Sequence, residues 1–402
     1  MRSRLYPILK DRVLLRRFEV PLLYDARKDE LYELDEESFE LLNEFDGGKS
    51  LEHFMEKHYC ASGEVEELLE YCIEEGLVEL IEKRNEDGEH LECKNRNRSE
   101  HRALKPSLRH LLIHITFQCN LRCRHCYLPK KQSSMDVEVF KLLLDEFDKV
   151  GGLKVMISGG EPLLHSKLDE MLRIANEYDF RKVLITNGIL IDEKNCNLEV
   201  DEVQISIDGV RGHDLLRAKN TFEKAVNAVE LLRNAGVDVS VATMVNEFNI
   251  HEFEEMEKIF KSLGLKSWMV DYPSPEGDLV RNTDILVDFS TAGKIMRRYG
   301  FINSGHRSHG EYGCGAHMCA SDPEGNISRC GFFEPVGNIR EGIETCWEKL
   351  RAYLWKIEDL KGCKGCEHLS ICKGGCRFRA KCLTSDIWGK DPVMCAVFGR
   401  SS

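Results

Sequence analysis

The stretch Leu111-Leu112-Ile113-His114-Ile115-Thr116-Phe117-Gln118-Cys119-Asn120-Leu121-Arg122-Cys123-Arg124-His125-Cys126 decides the fold. Its first half, 111–117, is a β-like run. Its second half sets three cysteines on the loop that follows, at the C-terminal end of a strand, where α/β sheets and barrels keep their sites. Three thiolates on one short loop can hold three corners of a cubic [4Fe–4S] cluster and leave the fourth iron open as a Lewis acid. A zinc site completed by His125 or His165 is the alternative, although zinc favours paired C-x2-C spacings.

The same texture repeats outward from this loop. Further β-like runs lie at 155–158, 182–186, 203–207, 237–244 and 268–271. Amphipathic helical stretches separate them, the clearest being 221–235, with Phe222, Val226, Val229 and Leu232 on one face. Repeated βα units predict a parallel sheet wrapped by helices, open or closed into a barrel. Before it, 11–83 reads as strands, helices and a closing strand, a small winged-helix-like unit. Charged, apolar-poor residues 84–107 read as a linker. After about residue 299 the pattern dissolves into Gly, Cys and turns, with only 343–360 clearly helical, and such a region needs staples.

Composition bounds the reading. The 402 residues, at roughly 150 per domain, imply two or three domains. An apolar share of 42% with 31% charged residues is ordinary for a globular chain and excludes global disorder. Acidic residues outnumber basic ones 69 to 56, a net charge of −13 that argues against coating nucleic acid. No run of about 18 apolar residues predicts a membrane span. The basic segment 1–19 lacks the apolar core of a signal peptide, so a cytoplasmic protein is expected. Of 17 cysteines, three fall between 119 and 126 and ten between 314 and 395, clustering that reads as metal or iron–sulfur ligation before disulfides.

With its C-x3-C-x2-C after the first barrel strand, the chain closely resembles the radical S-adenosylmethionine (SAM) superfamily. Further pieces match at successive strand ends: Ser158-Gly159-Gly160-Glu161-Pro162, Thr186-Asn187-Gly188, Ser206-Ile207-Asp208-Gly209, and Arg217. The resemblance implies that Gly159, Gly160, Glu161 and Pro162 border the SAM amino group. It places Asn187, Ser206 and Asp208 on the SAM side of the sheet and Arg217 toward the carboxylate. Arg217 also reads as a solvated helix-start residue. Tyr127 would lie beside the adenine or simply pack. His125 departs from the family, which often has an aromatic or bulky apolar residue there. Cys119, Cys123 and Cys126 would hold the cluster that cleaves SAM to a 5′-deoxyadenosyl radical.

The C-terminal cysteines resemble the SPASM extension of one branch of that superfamily: Cys314-x4-Cys319-x10-Cys330 with Gly325 between, then Cys363-x2-Cys366-x5-Cys372-x3-Cys376, then Cys395. The resemblance implies two auxiliary [4Fe–4S] clusters, one on Cys314, Cys319, Cys330 and Cys376, the other on Cys363, Cys366, Cys372 and Cys395. Cys382 is an alternative to Cys395. Cys319 lies outside the minimal motif, and without it the first auxiliary cluster would have an open iron. A pair of structural zincs is the competing reading. Cys60, Cys72, Cys93, Cys196, Cys346 and Cys382 receive no role.

The N-terminal stretch 31–37, 39–48 and 76–79 resembles the PqqD-like domain that captures a precursor's leader as an added strand. A generic winged helix, some of which bind DNA, is the alternative, made unattractive by Asp35-Glu36-Glu37 and Glu64-Val65-Glu66-Glu67.

The expectation is therefore an α/β protein: a partial (β/α)6 TIM-like barrel with an N-terminal winged-helix-like domain and a small cysteine-rich C-terminal cluster-binding domain. Its boundaries are 1–84 peptide recognition, 85–107 linker, 108–300 barrel and 301–402 SPASM. The resemblance implies a radical SAM oxidoreductase that matures a ribosomally made precursor peptide, forming a thioether or carbon–carbon crosslink. Its electron donor would be a flavodoxin or ferredoxin, with neither nucleic acid nor membrane as partner. The rivals are maturation of a partner enzyme or of a small redox cofactor, and a non-catalytic metal-binding adaptor. No residue is assigned as a catalytic base.

Overall fold

Two β-sheets and three helices come from the first eighty residues of the computed structural model, which describes residues 5–57, 62–82, 101–300 and 310–400. The chain divides into two compact units. One comprises residues 1–107 with 148–154 and 177–181, the other the remainder.

In the first unit β1 (Leu5–Leu9) pairs antiparallel with β5 (Val78–Glu82), and β2 (Val13–Arg17), β3 (Pro21–Asp25) and β4 (Glu30–Glu33) form a meander. Helices α1 (Glu36–Asn43), α2 (Leu51–Lys57) and α3 (Ser62–Glu74) lie between β4 and β5 in the chain. Asp35 caps α1 by accepting from the Ser38 N–H at 2.7 Å, satisfying one orphan donor of the first turn. Leu15, Leu23, Phe39, Leu42, Phe45, Phe54 and Leu69 make the core. The strand β1 was not expected. Pro7 and flanking charges hide its short period, and its pairing with β5 is what orders it. Most of the expected linker, residues 83–100, lies outside the described residues, as do Cys60 and Cys93.

The second unit holds the βα repeat: β6 (His110–Thr116), α4 (Val137–Lys149), β7 (Lys154–Gly159), α5 (Leu168–Ala175), β8 (Arg181–Thr186), β9 (Glu202–Ser206), α6 (Gly212–Leu216), α7 (Phe222–Asn234), β10 (Asp238–Met244), α8 (Phe253–Leu263), β11 (Ser267–Asp271) and α9 (Phe289–Tyr299). The six expected strands are present within a residue or two at each end. The sheet order β11-β10-β9-β8-β7-β6 is sequential, and β8, β9, β10 and β11 pair in parallel, the partial α/β barrel the βα rhythm predicts.

The sheet does not stop at β6. Strand β12 (Met318–Ser321) adds parallel to it, followed antiparallel by β13 (Asn326–Ser328) and β14 (Gly337–Asn338). Strands of two to four residues carry no readable periodicity, so sequence reading took this region for turns. Of the expected helix at 343–360 only α10 (Ile343–Leu350) forms, capped by 3₁₀ turns. Short helices α11 (Leu369–Cys372), α12 (Arg377–Thr384) and α13 (Pro392–Val397) complete the tail. Among the described residues no helix is long and apolar enough to cross a membrane.

Candidate cofactor and metal site

The loop bearing Cys119, Cys123 and Cys126 leaves β6 and is gripped by the end of β7. Gly160 N–H donates to the Thr116 carbonyl at 2.7 Å and Glu161 N–H to the Gln118 carbonyl at 2.8 Å. This approach explains the glycines: a Cβ on Gly159 would stand 2.2 Å from the Thr116 oxygen, and one on Gly160 2.2 Å from the Gln118 oxygen. Glu161 is fully buried and accepts from Thr186 Oγ1 (2.7 Å), Asn187 N (2.9 Å) and Leu163 N (3.1 Å). Burial raises its pKa despite those bonds. Pro162, also buried, opens the 3₁₀ turn that Glu161 caps. Asn187 reaches back through Nδ2 to Asn120 Oδ1, 2.8 Å, inside the cysteine loop. The motifs at the ends of β6, β7 and β8 therefore form one hydrogen-bonded rim.

Ser206 ends β9, half-buried, and Asp208 follows it with no exposure. The Asp208 carboxylate accepts from Met244 N at 2.7 Å and from Arg217 Nε at 2.5 Å. Burial pushes the Asp208 pKa up, but Arg217, His125 and His213 outweigh it and hold it below the carboxylate range. Arg217 then turns its Nη1 toward the Cys123 sulfur, 3.8 Å away. Burial pushes the Cys123 thiol up to about 11, with Arg217 opposing. A buried cation beside a thiol favours the anionic form that ligates metal.

Two imidazoles line the same cluster. His125 Nδ1 and His213 Nε2 are buried and have no hydrogen-bond partner. His213 Nδ1 accepts from the Asp208 N–H at 3.1 Å, so in the neutral ring the proton resides on Nε2 as an unused donor. Orphaned polar atoms beside a triplet of thiols and a carboxylate-ready arginine fit a polar ligand with an iron–sulfur cluster. His165 does not join them: its Nε2 meets the Met135 carbonyl (2.9 Å) and its Nδ1 accepts from Lys167 N (3.2 Å), which removes it as a zinc ligand. Tyr127 packs its ring on Phe332, centroids 4.4 Å apart, with its hydroxyl 3.4 Å from His114 Nε2. His213 and Asn120 were missed by sequence reading. Asn120 stands inside the cysteine loop itself, and His213 carries no local signal.

The C-terminal cysteines sort into two neighbourhoods. Cys314 and Cys376 are hydrogen-bonded, which pulls the Cys314 pKa down and pushes that of Cys376 up, and Cys330 lies close to both. Cys363, Cys366, Cys372 and Cys395 form the other group: burial and then their mutual proximity raise the pKa values of Cys372 and Cys395. Asp391 joins the neighbourhoods by accepting from Cys376 N (2.9 Å) and capping α13, which carries Cys395, through Val393 N (3.1 Å). Cys382 lies on α12 beside Glu276. Cys319 is fully buried in β12 beside Arg329, whose guanidinium also interacts with Cys314 and Cys330. Among the described residues no group of three or more His, Cys, Asp or Glu side chains is gathered tightly enough to hold a metal ion.

Comparison with known proteins places this geometry. The sequence model of the radical SAM superfamily matches residues 113–259. The AdoMet-dependent heme synthase of Nitratidesulfovibrio vulgaris is 23% identical over 339 residues, 72% of this chain and 92% of its own. The mycofactocin maturase MftC of Mycolicibacterium smegmatis is 26% identical over 319 residues, 69% of this chain and 80% of its own. Among solved structures, SAM-bound SuiB of Streptococcus suis superposes with a TM-score of 0.68 at 16% identity, covering 96% of this chain and 99% of SuiB. SuiB has also been solved bound to its precursor peptide SuiA. Residues 113–259 thus carry a radical SAM domain, and the chain is related in sequence to MftC and similar in fold to SuiB.

Proposed function

We propose that this enzyme matures a ribosomally made peptide. Residues 1–84 would hold the precursor's leader, 85–107 would link, 108–300 would carry the SAM site and 301–402 two auxiliary clusters. The observation that carries the reading is the N-terminal unit. The SuiB fold likeness spans 96% of the chain and so includes this unit, whereas the curated relatives align with about 70% of it. Among the described residues its strand β4 pairs with β3 at the end of the meander, and a sheet edge accepts an added strand through main-chain hydrogen bonds.

When bound, a cluster on Cys119, Cys123 and Cys126 with SAM supplies one-electron cleavage whose deoxyadenosyl radical removes hydrogen from carbon. Arg217, held by Asp208, would meet the carboxylate of SAM. Gly159, Gly160, Glu161 and Pro162 shape the wall, with Asn187, Ser206 and Tyr127 beside them. Cys314, Cys330 and Cys376 would hold one auxiliary cluster, with Cys319 its fourth ligand or that iron left open. Cys363, Cys366, Cys372 and Cys395 would hold the second. A flavodoxin or ferredoxin would deliver the electron.

A second reading, a step in the synthesis of heme or a related cofactor, rests on the heme synthase relative. The test is the mass of a candidate precursor after anaerobic incubation with cluster-loaded enzyme, SAM and reductant. Loss of two hydrogens with deoxyadenosine formed supports a crosslink. Deoxyadenosine with an unchanged peptide and a mass change in an added tetrapyrrole would move the enzyme to the second reading.

A further inference from the structure

The parallel strands alternate in a way that reveals which face is filled. Val155, Ile157, Val203, Ile205, Val239 and Val241 are fully buried. Trp268 shows what covers that face at β11: its ring meets Phe253 and Phe260 of α8 at 5.8 and 4.9 Å. The alternate residues Met156, Ile185, Gln204, Ala242, Met244 and Met269 are all only partly buried. The register sets Ile185 beside Gln204 and Ala242 beside Met269, so residues of four neighbouring strands share one face. That face is concave. Gln204 Nε2 on β9 reaches Met269 Sδ on β11 at 3.9 Å, spanning β10, where the small side chain of Ala242 lets it pass.

A closed barrel fills its interior with layers of side chains. Here the face opposite the helices stays half-open and opens at the strand ends that carry Asp208 and the cysteine loop. Thioethers and aliphatic groups predominate on it, and its polar groups along β9 and β10 are neutral: the amide of Gln204 and the hydroxyls of Ser206 and Ser240. The acidic groups on the same face lie at its two ends and are engaged: Glu202 accepts from Ser240 below, and Asp271 at the rim accepts from Arg379 Nη1 at 2.8 Å.

We propose that this lumen receives the reacting residue of the peptide and selects an uncharged, aliphatic or aromatic side chain, with Gln204 hydrogen-bonding the adjoining peptide amide. The inference rests on the peptide reading above and narrows it. A charged side chain entering here would lose its hydration with no counter-charge to meet it. A neutral one would gain contact with three unbranched methionines able to fit different shapes. Gln204 can both donate and accept, the pairing a backbone amide needs.

Saturation-transfer NMR on the anaerobic, cluster-loaded full-length enzyme tests this with four probes: the N-acetyl amides of leucine, phenylalanine, lysine and aspartate, each alone and against a soluble tetrapyrrole carboxylate. The expected result is binding of the leucine and phenylalanine amides about tenfold or more tighter than the charged pair. Met269→Glu should abolish that preference. Gln204→Leu, a milder change, should weaken all amides together, with the melting temperature of both variants followed as a folding control. Equal or stronger binding of the charged amides overturns the selectivity and leaves the peptide reading standing. Binding of the tetrapyrrole with no amide bound overturns both. An unaltered preference in Met269→Glu removes the lumen as its source.

Discussion

Arg217 Nε sits 2.5 Å from the Asp208 carboxylate, and both groups are almost wholly withdrawn from solvent. The pair aims the remaining guanidinium nitrogens at the cysteine loop. Removing Asp208 leaves a buried cation without a partner, so Asp208→Ala should destabilise the enzyme by about 3 kcal/mol. Arg217→Lys keeps the charge and loses the rigid fork. It should leave the melting temperature nearly unchanged while weakening SAM binding, read by equilibrium dialysis. Normal SAM affinity in Arg217→Lys would remove the residue from the carboxylate site.

His114 and His213 set an acid limit on stability. Burial lowers both pKa values to about 4, against 6.5 for a free imidazole, with Arg217 adding to the effect at His213. The folded pKa values are depressed, so above pH 6.5 neither ring favours the unfolded state. As pH falls from 6.5 toward 4 the unfolded chain takes up protons that the folded one refuses. Each ring should then reduce stability by about 1.4 kcal/mol per pH unit. Asp208, whose pKa lies below the ordinary 3.8, stabilises the fold throughout that window. Burial holds His101 and His125 at about 4 as well, so urea denaturation between pH 7 and 5 should show the slope, and His114→Asn should flatten it by about a quarter.

Gly160 has no room for a side chain against the Gln118 carbonyl, and the obstruction is backbone. Gly160→Ala should therefore displace the cysteine loop from the end of β7. The expected outcome is a loss of several kcal/mol, of the order seen for overpacked sites, or insoluble expression. Gly236→Ala is the contrast. Its Cβ would meet nothing within 4 Å, and only its left-handed φ of +82° strains it. Its cost should be about 1 kcal/mol.

How much of this was legible follows from what each residue owes to its neighbours in sequence. The six parallel strands and the motifs at their ends were readable because a βα repeat writes its period locally and puts its loops at one rim. Strands β12 to β14 were not, since each is too short for a period and is held by pairing to β6 across two hundred residues. His213 was invisible as a site residue. Its role comes from a turn that brings its ring to the Asp208 amide, which no spacing rule announces. The lumen was equally hidden, because Gln204 and Met269 meet only when β10 curves between them.

Cys319 gives the sharpest test of the ligand sets. A thiol with no exposure, in a paired strand, behaves as a small hydrophobe. Three clusters would give about 12 irons per chain. Cys319→Ala should keep that count and shift stability by about 1 kcal/mol. The joint variant of Cys363, Cys366 and Cys372 to Ala should lower it to about 8. Iron and sulfide analysis of the reconstituted proteins decides both. Loss of about 4 irons in Cys319→Ala would mean that β12 yields its cysteine when the cluster assembles, and the first auxiliary site would then be fully ligated by protein.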